Sequence, residues 1–200
     1  MECQLPNDFD DLVARLLADA AGRRAVVLID GGSGAGKSTL AATLAKRLRA
    51  ELPDLQAVSL EEIYPGWFGL MTASAMLTAT VLATTDAGYR RWDWEADEPA
   101  EWVDVDPHAP ILVEGCGAIT ARSASLASTT IWVERPAAER KQLALARDEG
   151  LFDPWWDIWA EQEAEHWAVD QPHALADVVV FPQAVFTQDV EPRRSDDADR

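Results

Sequence analysis

Val26-Val27-Leu28-Ile29-Asp30-Gly31-Gly32-Ser33-Gly34-Ala35-Gly36-Lys37-Ser38-Thr39-Leu40 reads as a buried strand, a glycine-rich turn and the start of a helix. The turn satisfies G-x-x-x-x-G-K-[ST], with Gly31 first, Gly36-Lys37 at the required spacing and Ser38 closing it. Such a turn wraps an anion in successive backbone N–H groups, and side chains at Gly34 or Gly36 would hold the backbone away from it. Lys37 supplies a point charge for the β- and γ-phosphates of a nucleotide. Ser38 supplies a hydroxyl for Mg²⁺, and the helix beginning there turns its unsatisfied N–H groups toward the phosphates. The expected nucleotide-binding set is Gly31, Gly32, Ser33, Gly34, Ala35, Gly36, Lys37, Ser38 and Thr39.

On either side of this loop the pattern alternates between short apolar runs and helical spacing. Leu12, Val13, Leu16 and Leu17 suit a short amphipathic helix that Gly22 ends, and the helix after the loop runs to about Ala50, before Pro53. Leu55 to Leu60 reads as a second strand with Glu61-Glu62-Ile63-Tyr64-Pro65-Gly66-Trp67 at its C-terminal end, where open parallel sheets bind ligands. Leu70 to Thr85 reads as helix, and Gly88 to Pro110 as irregular chain. Strands follow at Ile111 to Val113, with Glu114 at the tip, then at Thr129 to Glu134 and Val178 to Phe181. Pro136 opens a helix to Asp148, and Asp153-Pro154 opens another to about Asp170. Five apolar strands separated by helices predict an α/β/α three-layer fold, a five-stranded parallel sheet with helices on both faces.

Composition bounds the function. Two hundred residues with a 48% hydrophobic share suit one domain, here taken as 1–188, with a flexible acidic tail over 189–200. Seventeen basic against 35 acidic residues give a net charge of −18, which argues against nucleic acid or anionic membrane as partner. A basic loop in so acidic a chain points to a small anionic ligand held by a few placed groups. Cys3 and Cys116 are too few and too far apart for a metal cluster or a disulfide framework. No run of 18 apolar residues occurs and the N-terminus lacks a basic leader, so the expectation is a cytoplasmic protein. His108, His166 and His173 have no metal-ligand spacing and read as surface residues.

With these residues in view, the chain resembles the uridine kinase and pantothenate kinase branch of the P-loop kinases. More narrowly, it is similar to an actinobacterial set of uridine kinase-like ATP-binding proteins. The resemblance spans Arg24 to Phe181 and rests on four segments in order: Gly31 to Thr39, Ser59-Leu60-Glu61-Glu62-Ile63-Tyr64, Trp92-Asp93-Trp94 with Ile111-Leu112-Val113-Glu114-Gly115, and Trp132-Val133-Glu134 through Arg140 to Arg147-Asp148. It implies an ATP- and Mg²⁺-dependent transfer of a γ-phosphoryl group to a hydroxyl, with uridine or cytidine as the leading acceptor. A nucleoside monophosphate, a pantothenate-like alcohol and a sugar are the alternatives.

The resemblance also assigns roles. Lys37, Glu61, Arg140 and Arg147 would carry catalysis, and Ser38, Glu61 and Glu114 would hold the metal. By residue type and position, not by the resemblance, Glu62, Tyr64, Trp67, Arg90, Arg91, Trp92 and Asp93 are the candidates for the acceptor site. Two departures stand out. Glu61 takes the place of an aspartate, so the base could also be Glu62 or Asp93; and the short lid near 149–153 carries no arginine, leaving Arg140, Arg147, Arg90, Arg91 and Arg122 to meet the phosphoryl group. Tyr64, Trp67, Trp92 and Trp94 could stack a planar substrate or wall off water, whereas Trp155, Trp156, Trp159 and Trp167 suit helix packing. A nucleotide-binding regulator without a metabolite substrate is the rival reading.

Overall fold

A computed structural model describes residues 1–147 and 150–183, so the 189–200 tail and part of the expected lid lie outside the described residues. The strands are β1 (Glu2–Leu5), β2 (Val26–Asp30), β3 (Gln56–Ser59), β4 (Gly88–Asp93), β5 (Glu98–Asp104), β6 (Ile111–Glu114), β7 (Thr129–Val133) and β8 (Val178–Pro182). The helices are α1 (Phe9–Asp19), α2 (Lys37–Leu48), α3 (Leu70–Met76, continued by a π-helical turn over Leu77–Val81), α4 (Ala121–Leu126), α5 (Ala137–Arg147), α6 (Trp156–Asp170) and α7 (Pro172–Leu175).

Six strands form one parallel sheet in the order β1-β8-β7-β2-β6-β3. Alternate side chains divide the core into two layers, as the period of two along a strand requires. Val26 and Leu28 of β2 join Val58, Ile111 and Val113 beneath α3 and α6. Val27 and Ile29 join Leu112, Ile131, Val133 and Val180 beneath α1 and α2. The α2 stripe Leu40, Leu44 and Leu48 is almost fully buried at i, i+4 spacing, and each such leucine contributes about 1.5–3 kcal/mol of transfer free energy. This is the layered α/β/α architecture expected, with helices on both faces.

Two expectations are corrected. The sheet has six strands, not five, because Glu2–Leu5 runs parallel to β8 with Glu2 opposite Val179. Cys3 and Leu5 point inward and Glu2 and Gln4 outward, an alternation too short to stand out in the sequence. The stretch read as irregular forms an antiparallel hairpin, β4 with β5, apart from the main sheet. Its strands are largely exposed on both sides, so neither face carries an apolar signature. The Asp93 carboxylate stabilises the turn by accepting from Glu95 N and Ala96 N, both at 2.9 Å.

Candidate active site

The parallel sheet brings its C-terminal tips together. In register, Ile29 lies opposite Glu114, and Glu114 opposite Ser59, so the end of β2, the carboxylate of β6 and the hydroxyl of β3 share one level. Above them the loop Gly31–Gly36 runs into α2. Gly34 takes φ +76°, and a Cβ there would overlap the Arg140 carbonyl, which explains why a glycine is needed. The backbone N–H groups of Gly34, Gly36, Lys37, Ser38 and Thr39 donate to no described residue. Five unpaired donors at a helix N-terminus form an anion cradle.

Lys37 is buried beside this cradle, with Nζ donating to Gly32 O at 3.2 Å and to Cys116 Sγ at 3.3 Å. Burial alone would lower its pKa, but the surrounding negative groups outweigh it and hold the ammonium above the ordinary lysine value. Cys116 is pushed by burial up to about 12, so it is a neutral thiol near neutrality. The lysine charge is therefore answered by Glu114, Glu163 and Asp30.

Glu114 accepts from Ser38 Oγ at 3.2 Å and from Ser59 Oγ at 2.7 Å, both on Oε1. Burial holds its pKa above the ordinary carboxylate value, against the opposing pull of Lys37 and of the two hydroxyl hydrogen bonds. Hydroxyl and carboxylate oxygens in contact are the hard donor set that Mg²⁺ takes, so Ser38 and Glu114 fit that ion. Glu61 is exposed, with Arg147 Nη2 at 3.5 Å from Oε1, and its negative charge reaches Glu114.

A cavity of about 640 Å³ opens from the cradle. Ser33, Lys37, Glu61, Cys116 and Arg147 line it together with the rings of Tyr64, Trp67, Trp94, Phe152, Trp155 and Trp159. Trp67 stacks on Phe152 and Trp155, each 5.4 Å away, at 18° and 5°. Phe152 and Trp155 thus meet Trp67 across the cavity through stacked rings. A second cavity of about 460 Å³ on the Gly32 side is lined by Trp132, Arg140, Trp167 and His173 among others.

The structure gathers Ser33, Lys37, Glu61, Tyr64, Trp67 and Arg147 at the first cavity and leaves other expected residues elsewhere. Glu62 accepts from Tyr89 Oη at 2.9 Å and from Arg91 Nε at 3.2 Å. Arg91 also holds Glu101 at 2.6 Å, and Arg90 Nη1 donates to Ala100 O at 3.1 Å. Asp93 serves its turn, Trp92 Nε1 is buried without a partner among the described residues, and Arg122 is exposed on α4. Arg140 is buried, with Nη1 donating to Ser33 O at 3.1 Å and pairing with Glu163 Oε2 at 3.4 Å, and it packs over Trp167.

Two residues without an expected role, Glu163 and Asp30, and one expected at the surface, His166, pack against the loop. Glu163 Oε1 accepts from Ser33 N at 2.7 Å. Asp30 accepts from the N–H groups of Gly31 (2.7 Å), Gly117 (3.2 Å) and Ile119 (2.9 Å), joining the phosphate loop to the loop after β6. His166, expected at the surface, is fully buried: Nε2 lies 3.2 Å from Asp30 Oδ2 and Nδ1 3.0 Å from Asp170 Oδ2. His108 and His173 are exposed as expected. Trp159, Glu163, His166 and Asp170 recur at i, i+4, i+7 and i+11, a single helix face in which polar residues occupy inward positions; that spacing was the available signal.

No family profile and no curated protein matches this sequence. Among solved structures, the chain is similar to one described as a possible uridine kinase from Bacillus stearothermophilus, at 20% identity and a TM-score of 0.64, over 88% of this chain and 98% of that one. It is also similar to one described as a candidate fructose transport system kinase from Silicibacter sp. TM1040, at 19% identity and a TM-score of 0.55, over 84% and 97%. The chain has the fold of the P-loop kinases. Among the described residues, no helix is long and apolar enough to cross a membrane.

Proposed function

We propose that this chain is an ATP- and Mg²⁺-dependent kinase that transfers the γ-phosphoryl group of ATP to a hydroxyl of a small molecule, with a nucleoside such as uridine or cytidine as the leading acceptor. The observation that carries this reading is the meeting of an unpaired N–H cradle and a buried lysine with an aromatic-walled cavity. The two structural neighbours, described as kinases with uridine and fructose in their names, support a hydroxyl acceptor.

Phosphoryl transfer requires positioning and charge stabilisation more than covalent help from the protein. Gly34, Gly36, Lys37, Ser38 and Thr39 would grip the phosphates through their N–H groups, and the Lys37 side chain would neutralise charge on the β–γ side. Ser38 and Glu114 would hold Mg²⁺, which supplies further neutralisation when bound. Glu61, lining the cavity, would accept or orient the acceptor's hydroxyl proton, and Arg147 across from it would face the transferring group. Arg140 would act at one remove, by holding Ser33.

The test is a thermal-shift series with saturating ATP and Mg²⁺, followed by ADP release on adding acceptors. Ligand at a hundred times its dissociation constant adds about 2.7 kcal/mol. A shift with ATP and acceptor-dependent ADP release supports the kinase. A shift with ATP and no release with any hydroxyl compound would favour a nucleotide-binding regulator, and no shift at all would sink both.

A further inference from the structure

Resting on that reading, we infer that the acceptor is an uncharged alcohol carrying a flat ring, and that the site reads the ring by its faces, not by the hydrogen-bonding pattern along its edge. Beside Ser33, Lys37, Glu61, Cys116 and Arg147, the described lining is largely aromatic, and Trp67 touches several of the rings. Besides its stacked contacts, Trp67 meets Trp94 at 4.9 Å and Trp159 at 6.4 Å, the latter edge-on at 89°. Indole faces attract a flat ring without regard to which donors and acceptors line its rim.

Edge reading needs the opposite arrangement. A nucleobase rim presents donors and acceptors side by side, and a carboxamide is the side chain that answers both. No Asn or Gln is in the described lining. Gln162 lies just behind it with both ends engaged: Oε1 accepts from Leu70 N at 3.3 Å, and Nε2 donates to Trp67 O at 2.7 Å and Ile158 O at 3.4 Å. Two of the wall's polar handles are taken up by the protein itself, Tyr64 Oη by Cys116 O and Trp94 Nε1 by Glu61 O, both at 2.8 Å.

Charge narrows the class further. Arg90 and Arg91, the paired cations that could have met an acceptor phosphate, are engaged within the hairpin and with Glu62, and neither lines the cavity. The cations that do line the cavity already face carboxylates, Lys37 those of Glu114, Glu163 and Asp30 and Arg147 that of Glu61 at 3.5 Å, so an acceptor phosphate or carboxylate would add to negative charge already there. A free sugar would turn its hydroxyls against aromatic rings that leave them unpaired, at a desolvation penalty.

The discriminating probe is a riboside with phenyl in place of the base, which keeps the flat face and removes the polar rim. Sites that hydrogen-bond a substrate reject an analogue lacking those groups by about 10⁴–10⁵, whereas apolar pockets discriminate by only about 10–200-fold. With ADP release as readout, kcat/KM for the phenyl riboside is expected within about tenfold of that for uridine, and ribose and UMP at least about a hundredfold below. Trp67→Ala should lower kcat/KM for both ring-bearing compounds alike while the ATP-induced thermal shift, which also reports a folded protein, persists. Rejection of the phenyl riboside by more than about a thousandfold, or a preference for UMP or ribose, overturns the inference and leaves the kinase standing. ATP binding with no ADP release from any probe overturns the kinase reading itself.

Discussion

Arg140 and Glu163 pair at 3.4 Å beneath the phosphate loop, and between them they hold both ends of one residue: Glu163 accepts from Ser33 N and Arg140 donates to Ser33 O. Both side chains are buried, so neither charge can be removed singly without stranding the other. Breaking a buried pair costs about 3–5 kcal/mol, whereas replacing both partners by apolar residues is often neutral or stabilising. Glu163→Ala should therefore lower the melting temperature by about 6–20 °C. The joint replacement of Arg140 by Met and Glu163 by Leu should recover most of that stability without recovering nucleotide affinity, because the Ser33 peptide loses its brace. Recovery of both in the double variant would show that the pair contributes packing alone.

Lys37→Met should abolish stabilisation by ATP. In the native chain, ATP at a hundred times its dissociation constant should raise the melting temperature by about 5–11 °C; the variant should show no rise, because its cradle keeps the N–H donors but loses the buried cation. Calorimetric titration with ATP checks the same point at constant temperature.

Glu61 and Glu114 should separate by role. Glu61→Gln keeps the shape of an exposed residue and should lower kcat by about 10²–10⁴ with ATP binding intact, as expected for loss of a group that handles the hydroxyl proton. Glu114→Gln can still accept from Ser38 and Ser59 but removes the charge, and should raise the Mg²⁺ concentration for half-maximal turnover by about 10–100-fold. Magnesium titrations of both variants decide whether the two acids act together.

His166 links stability to pH. Burial works against its charged form, but Asp30 and then Asp170 outweigh burial and hold its pKa above the ordinary value of 6.5. A group with a raised native pKa stabilises fully below its unfolded value, and that stability is lost as pH rises through the native one. The stability difference between the native chain and His166→Gln should be largest below the ordinary value of 6.5 and shrink as pH rises through the raised native one. Urea unfolding across that range measures it, and a difference independent of pH would mean that His166 is neutral throughout.

The phosphate loop and its flanking strand and helix were legible because their chemistry is local: glycines, Lys37 and Ser38 must follow one another along the chain. The sheet was legible wherever a strand is buried on both faces, as in β2, β6 and β7. It was not legible at β1, where a four-residue edge strand carries only two inward side chains, nor in the β4–β5 hairpin, whose faces meet water. Residue type alone placed Arg90, Arg91 and Glu62 in the acceptor site, yet each finds a partner in or beside the hairpin.

By itself, then, the sequence determined the glycine-rich loop between β2 and α2 and the residues that build it, since a turn lined with backbone donors is made of consecutive groups. Only the tertiary structure decided what surrounds it. Glu163 and His166 come from more than a hundred residues away to buttress Ser33 and Asp30, and Trp67 meets Phe152 and Trp155 across the cavity. Such contacts depend on which helix packs over which strand tip, and no local spacing encodes that.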